Sequence, residues 1–565
     1  MKSLFQYLAN RPLNIRWGIP SLFVFFTLSL FVFGCSHDLL DKAPIDRITE
    51  DAVWSDPALV QTFVNSKYRD LSFGFNWNGD ELLWASASDE SLFSHDYGMW
   101  AINKGELTPT NLAILGSGPT EYNGNMNPWS KNYRYIRDVN QFFARIGAVD
   151  MDSAQRRQLT GEMTFIRAFR YFDLIRNYGG VPLITQSFGL GDDYTAVKRS
   201  SLSESINFVV SEADKAASLL PASYTGVDVG RATKGTALAL KARMLLYAAS
   251  PLYASTNSVT QWQSAAQAAQ AVIDLGIYQL YPNYQQLFLT PNNSEIIFNR
   301  LETQQGDSFI NLERWNGPNG YGGWGGNVPS QNLVDNYEMM DGQPITNPGS
   351  GYNPQNPYAN RDPRLAATIL YNGATYRSRA LETFRPGGLD SPDGPESFNT
   401  SPTGYYLRKF INEARDLGAS NSSQAPWIYF RLGEVLLNYA EAQNEAVGPD
   451  ASVYRTINQV RARASMPALP TGLTQAQMRE RIRHERQIEL AYEEHRYYDV
   501  RRWKIANTTE NQPLRGASIT KDAAGKLQYT YPTVQERRFN DRNYFLPIPL
   551  KETQSNPNLT QNPGY

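Results

Sequence analysis

Trp77, Trp84 and Trp100 stand in the stretch FNWNGDELLWASASDESLFSHDYGMW, among Asn76, Asn78, Asp89 and Glu90. A second group, Trp315, Tyr321 and Trp324, lies on a glycine-rich loop with Arg314, Asn316 and Asn319 beside it. A pyranose has an apolar C–H face that lies well on an indole, and a rim of hydroxyls that needs Asn, Asp, Glu or Arg in its plane. Both stretches carry that mixture, so Trp77, Trp84, Trp100, Trp315, Tyr321, Trp324, Asn76, Asp89, Arg314 and Asn319 are the candidate ligand contacts. The competing reading is packing, because Trp is highly buried on average.

Catalysis finds less support. Asp89-Glu90 and Glu493-Glu494 are adjacent in sequence, which does not fix the separation that a pair of glycosidase carboxylates needs. There is no G-x-S-x-G elbow. Residues 320–325, GYGGWG, match G-x-G-x-x-G, but no strand precedes them and Asn327-Val328-Pro329 follow where a helix should begin. His484-Glu485 opens H-E-x-x-I, which lacks the second histidine of a zinc protease, and one cysteine with four scattered histidines makes no zinc set. No catalytic residue, cofactor or metal is expected. The run RERIRHERQIELAYEEHRYYDVRRWK reads instead as a salt-bridged helix whose Glu and Arg pair at helical offsets. Fifty-three basic against 55 acidic residues leave a formal charge of −2, too little field to hold a polyphosphate, so nucleic acid is not an expected partner.

The elements that must position these residues are mainly helical. Asp56-Pro57 supplies an N-cap and first-turn proline. From Leu159 to Ile175 apolar residues recur at three- and four-residue steps and stop at Gly179-Gly180. RATKGTALALKARMLLYAAS and QWQSAAQAAQAVIDLG form one helix pair. Residues 427–447 and 451–464 form another, with alanine and aromatics interleaved as in tetratricopeptide pairs. Thr474 with Gln477 predicts a capping box opening a long helix to about Trp503. Between the pairs, residues 302–425 are crowded with Gly, Pro, Asn and Ser, which predicts long ordered loops or small hairpins.

The only cysteine, Cys35, ends an apolar run. Lys2, Arg11 and Arg16 precede the uncharged segment 18–34, the layout of a signal peptide. Val32-Phe33-Gly34-Cys35 resembles a bacterial lipobox, in which the cysteine is acylated and becomes the mature N-terminus. The expected organisation is a leader (1–34), a lipidated tether (35–50), a helical region (51–301), a loop-rich insertion (302–425) and a C-terminal helical region (426–565).

Several long motifs, in order along the chain, resemble the SusD/RagB family of nutrient-binding outer-membrane lipoproteins. They are CSHDLLDKAPID (35–46), FIRAFRYFDLIRNYGGVPLIT (165–185), RATKGTALALKARMLLYAASPLY (231–253), SQNLVDNYEMMDG (330–342), YFRLGEVLLNYAEAQNEA (429–446), IRHERQIELAYEEHRYYDVRRW (482–503) and FLPIPLKETQSNPNLTQNPGY (545–565). The resemblance implies a mainly α, tetratricopeptide-like superhelix with a large loop-rich ligand-binding segment. It also implies an outer-membrane lipoprotein, lipid-anchored and facing the cell exterior. Such a protein caps a SusC-like TonB-dependent transporter and passes an oligosaccharide or polysaccharide inward unaltered. Only Cys35 carries over from the family as a functional residue. The same architecture binding a peptide is the alternative expectation, and a surface glycan hydrolase a weaker one.

Overall fold

Asp56 Oδ1 accepts the backbone N–H of Ala58 at 2.8 Å and Pro57 fills the first turn, so helix α1 (Pro57–Arg69) begins where these residue types predict. The computed structural model describes residues 50–565 except 70, 73, 76–81, 97, 113–126, 190, 303–309, 420 and 421. The leader, Cys35, Asn76 and Trp77 therefore lie outside the described residues, as does the tether but for Glu50. Among the described residues, no helix is long and apolar enough to cross a membrane.

Helices α2 (Pro128–Arg145), α3 (Ser153–Tyr178), α4 (Leu202–Leu219), α5 (Lys234–Ala249) and α6 (Val259–Ile273) follow. The C-terminal half supplies α7 (Leu432–Val447), α8 (Ala451–Arg463), α9 (Gln475–Glu489) and α10 (Arg496–Arg502). The stop of α3 is local chemistry: Gly179 takes φ 79°, a left-handed conformation that costs a residue with a Cβ. Each helix from α2 to α6 packs on the next, and α6 then packs on α7, which packs on α8 and α9. The array thus continues across the loop-rich segment. Buried alanines on α5 and α6, among them Ala237, Ala242, Ala265 and Ala269, let those helices approach closely. Leu436, Leu437, Val453, Ile457, Met478 and Ile482 fill the space between α7, α8 and α9. The chain is mainly α and superhelical, as the helix pairs predict.

Of the short strands, four matter to the site: β1 (Ser91–Phe93), β2 (Ile296–Arg300), β3 (Asn327–Pro329) and β4 (Trp427–Arg431). β2 and β4 pair antiparallel, Ile296 with Arg431 and Arg300 with Trp427, so the loop-rich segment leaves and returns through a two-stranded stem. This corrects the expectation of a helix from 427. WIYFR is buried at every position, a pattern that suits a helix or a strand equally, and the deciding partner lies far earlier in the chain.

The predicted capping box at Thr474 and Gln477 is present. The long helix to Trp503 is not: α9 ends at Glu489, and Tyr492 and Glu494 both take φ 64° before α10 begins. That break turns Glu493 and Glu494 toward different surroundings.

Candidate functional site

β1 and β3 pair antiparallel, Ser91 opposite Pro329 and Phe93 opposite Asn327, and so bring the two aromatic stretches together. Ser94 Oγ donates to the Gly325 carbonyl at 2.5 Å, and His95 Nε2 lies 2.9 Å from the Trp324 carbonyl. Burial lowers the His95 pKa while that carbonyl pulls it the other way.

Most of the first stretch faces inward. Trp84 is 1% exposed, its ring centroid 4.6 Å from that of Tyr497. Asp89 is buried and meets the Arg496 guanidinium at 2.7 and 2.8 Å. Beside it, burial pushes the Glu90 carboxyl well above the usual carboxylate range, with the neighbouring charge of Asp89 adding to the rise. Trp100 is half-buried and donates its indole N–H to the Phe93 carbonyl at 3.0 Å. Trp84 and Asp89 are thus corrected from candidate contacts to packing and ion-pair residues, because a ring and a carboxylate already enclosed present no face to a ligand.

The second stretch is divided. Trp315 is 7% exposed and part of the main core. Asn319 is fully buried; its amide donates to the Ser391 carbonyl at 3.4 Å and the Glu396 carbonyl at 3.2 Å, and its oxygen accepts from the Tyr406 hydroxyl. Both are structural, a second correction. Asn316 is likewise spent, its oxygen accepting from the backbone and side-chain N–H groups of Asn327 at 3.0 and 2.8 Å. Gly323 serves close approach: a Cβ there would stand 2.2 Å from the Gly317 carbonyl oxygen. Folded back in this way, the loop donates the Trp324 N–H to Arg314 O at 2.6 Å and the Gly326 N–H to Trp315 O at 2.7 Å.

What remains outward is Arg314, Tyr321 and Trp324. Arg314 is exposed, its guanidinium 5.1 Å from the Trp324 ring centroid, and among the described residues it has no hydrogen-bond or ion-pair partner. Tyr321 is half-buried; its hydroxyl donates to the Tyr376 carbonyl at 2.8 Å, and the Arg379 guanidinium lies 4.5 Å from its ring. Sequence reasoning missed Phe398, which is 89% exposed on a short turn, Ser397–Asn399. The Asn399 carbonyl lies 3.0 Å from where a Gly325 Cβ would stand, which puts Phe398 beside the Trp324 loop. A signal was available: the one aromatic residue in PGGLDSPDGPESFNTSP, with no periodic apolar neighbours to bury it. An exposed phenyl ring and two half-buried rings beside an exposed guanidinium form a platform for stacking and hydrogen bonding.

The charged run does not pair along one solvated helix. Its inward side chains reach other elements. Arg431 meets Glu295, Glu489 and Glu493 at 2.6 to 2.7 Å and is 1% exposed. Arg364 meets Asp362, Glu485 and Glu489, and Arg461 meets Glu485 and Glu338. The physical reason is burial: the second half of α9 faces the core, and a buried charge needs a close partner from whichever element faces it. Glu493 and Glu494 diverge. Burial would raise Glu493, but Arg431 and Lys409 bring its carboxyl below the usual range, whereas burial carries Glu494 up to about 8. Opposed shifts are what an acid and base pair needs. The space beside them, however, is about 40 Å³, far smaller than a ligand pocket.

Comparison with known proteins settles the family. A model described as the SusD family matches residues 292–565, and one described as starch-binding associating with outer membrane matches residues 40–246. A solved SusD-like protein from Bacteroides fragilis NCTC 9343 is 31% identical, with a TM-score of 0.77, covering 93% of this chain and 100% of its own. The chain belongs to the SusD family. A solved SusD-like carbohydrate-binding protein from the same organism is 28% identical with a TM-score of 0.77, covering 90% of this chain and 99% of its own. SusD-like protein P2 from Formosa agariphila is 25% identical over 96% of this chain and 99% of its own.

Proposed function

We propose that this SusD-family chain is a cell-surface lipoprotein that captures oligosaccharide on the Trp324 platform and delivers it, chemically unaltered, to a SusC-like TonB-dependent transporter. The observation that carries the reading is the cluster of exposed Arg314 and Phe398 with half-buried Trp324 and Tyr321 on one face of the loop-rich segment. Indole and phenyl faces take the C–H face of a sugar, and the guanidinium reaches hydroxyls in the ring plane. The family description naming starch binding and outer-membrane association supports it, as does a solved relative described as carbohydrate-binding. Trp77 and Asn76 remain proposed contacts from the sequence, and half-buried Trp100 a peripheral one.

In this proposal the helical array is the body and the loop-rich segment the binding face. Acylation at Cys35 leashes the body near its transporter, raising effective concentration without a new contact. Several acyl chains hold firmly where one, at about 0.8 kcal/mol per buried methylene, would not.

The test is a titration of the chain lacking residues 1–35 against panels of oligosaccharides and peptides, with analysis of the bound sugar after prolonged incubation. Saturable oligosaccharide binding and recovery of the intact sugar are expected. Binding of peptides alone, or release of shorter products, would overturn the proposal.

A further inference from the structure

A cavity of about 400 Å³ lies between the first half of α2, the chain at 182–197 and the C-terminal residues 552–559. It shares no residue with the Trp324 platform, and its size is in the range of small-molecule sites. Trp129, Ile136, Ile184, Phe188, Tyr194 and Leu559 make most of its wall. The accessible wall is mostly apolar, and two of the polar side chains on it are committed. The Tyr133 hydroxyl donates to the Pro182 carbonyl at 2.8 Å, and the Asn556 amide donates to the carbonyls of Tyr194 at 3.2 Å and Val197 at 2.9 Å. Those bonds hold Pro182 against α2 and Tyr194 and Val197 against the C-terminal turn, so these parts of the wall are in place before anything enters.

A sugar entering such a space would give up hydrogen bonds to water and find few replacements. An apolar body would not. One charged group on the lining is uncommitted: Arg137 is exposed, and among the described residues its guanidinium has no hydrogen-bond or ion-pair partner. The other, Glu552, is half-buried, and burial raises its carboxyl pKa while Lys551 and a hydrogen bond to Trp129 pull it down.

We propose that this cavity is a second binding site, independent of the platform, for a small apolar carboxylate whose ring or chain lies against Trp129, Phe188 and Tyr194 while its carboxylate pairs with Arg137. A planar guanidinium matches a carboxylate in two parallel N–H···O bonds, which orients the acid with its apolar end inward.

The test uses the full chain in lipid nanodiscs, equilibrium dialysis of 4-phenylbutyrate, and empty nanodiscs as the blank. One saturable site is expected, with 4-phenylbutanamide at least about tenfold weaker and Arg137→Gln weakening the acid about tenfold, the scale of one lost charge-assisted interaction. Trp324→Ala should leave the binding unchanged, and Glu552→Gln should bind at least as tightly as the parent chain. No saturable site, equal binding of acid and amide, or full affinity in Arg137→Gln would overturn the proposal. A loss confined to Trp324→Ala would also overturn it, by assigning the acid to the platform.

Discussion

Arg431 and Arg314 are the same residue in opposite settings. Arg431 sits in the helical body with three carboxylates within 2.7 Å and almost no exposure. Arg314 lies on the loop platform, exposed, stacked on Trp324, and without a hydrogen-bonded partner among the described residues. In the body the Arg431 charge is consumed in joining segments distant in sequence: β2, α9 and the α9–α10 break all meet at it. On the platform donors are left unspent. The difference separates side chains that hold the fold from side chains available to a ligand, and residue type alone does not draw that line.

Removing the Arg431 guanidinium has the largest expected effect. Arg431→Met leaves Glu295, Glu489 and Glu493 buried together without their shared cation, and should cost about 3 to 5 kcal/mol or prevent folding. Urea unfolding checks this; a variant as stable as the parent would mean that the body's charges are incidental.

Trp315 and Trp324, nine residues apart on one loop, sharpen the comparison next. Trp315→Ala empties a core position and should lose about 3 to 5 kcal/mol of stability by urea unfolding. A loss of sugar affinity at unchanged stability would return Trp315 to the ligand surface.

Acid titration probes the body alone. Burial would raise Glu441, yet the guanidiniums of Arg502 and Arg486 and the Trp503 indole bring it down to about 2. A depressed carboxyl gives its full stabilisation above its ordinary value of 4.5 and loses it as pH falls toward 2, a loss of order 3 kcal/mol. Glu494, raised to about 8 by burial, has the opposite sign: its contribution is complete below 4.5 and is lost as pH rises toward 8. Urea midpoints measured from pH 2 to 8 should therefore peak near the ordinary carboxylate value. Glu90 and Glu510 are also raised by burial and share the alkaline fall, so Glu494→Gln should lessen the alkaline slope and leave the acid side unchanged; an unchanged alkaline side would remove Glu494 as a contributor.

The smallest effect belongs to Arg314. Arg314→Gln should weaken oligosaccharide binding by about 0.5 to 1 kcal/mol, the scale of an exposed cation–π contact, with no change in thermal midpoint. A fall in midpoint would make its stacking structural.

Features that depend on a few adjacent residues were legible in the sequence. The Asp56-Pro57 start, the Gly179 stop and the Thr474–Gln477 box are each decided within one or two turns, and each is found. WIYFR was not legible as a strand, because its partner, β2, lies on the far side of the insertion. Nor was the break after Glu489, where apolar and charged residues continue at helical spacing while Tyr492 and Glu494 turn left-handed to serve distant contacts. At the site, residue types pointed to both aromatic stretches, and β1–β3 pairing does join them. Which rings face outward could not be read, because a glycine-rich loop has no periodicity to assign its faces. That is why Trp315 and Asn319 were grouped with Trp324, and why Phe398 was overlooked.

The most direct measurement is calorimetric titration of an oligosaccharide bound by the chain lacking residues 1–35 into that chain and its Trp324→Ala and Phe398→Ala variants, with thermal unfolding of each. Loss of about 1 to 3 kcal/mol of affinity in Trp324→Ala, a smaller loss in Phe398→Ala and parental unfolding midpoints in both are expected, on the scale of aromatic stacking. Parental affinity in both variants would contradict the account and place the sugar elsewhere on the molecule.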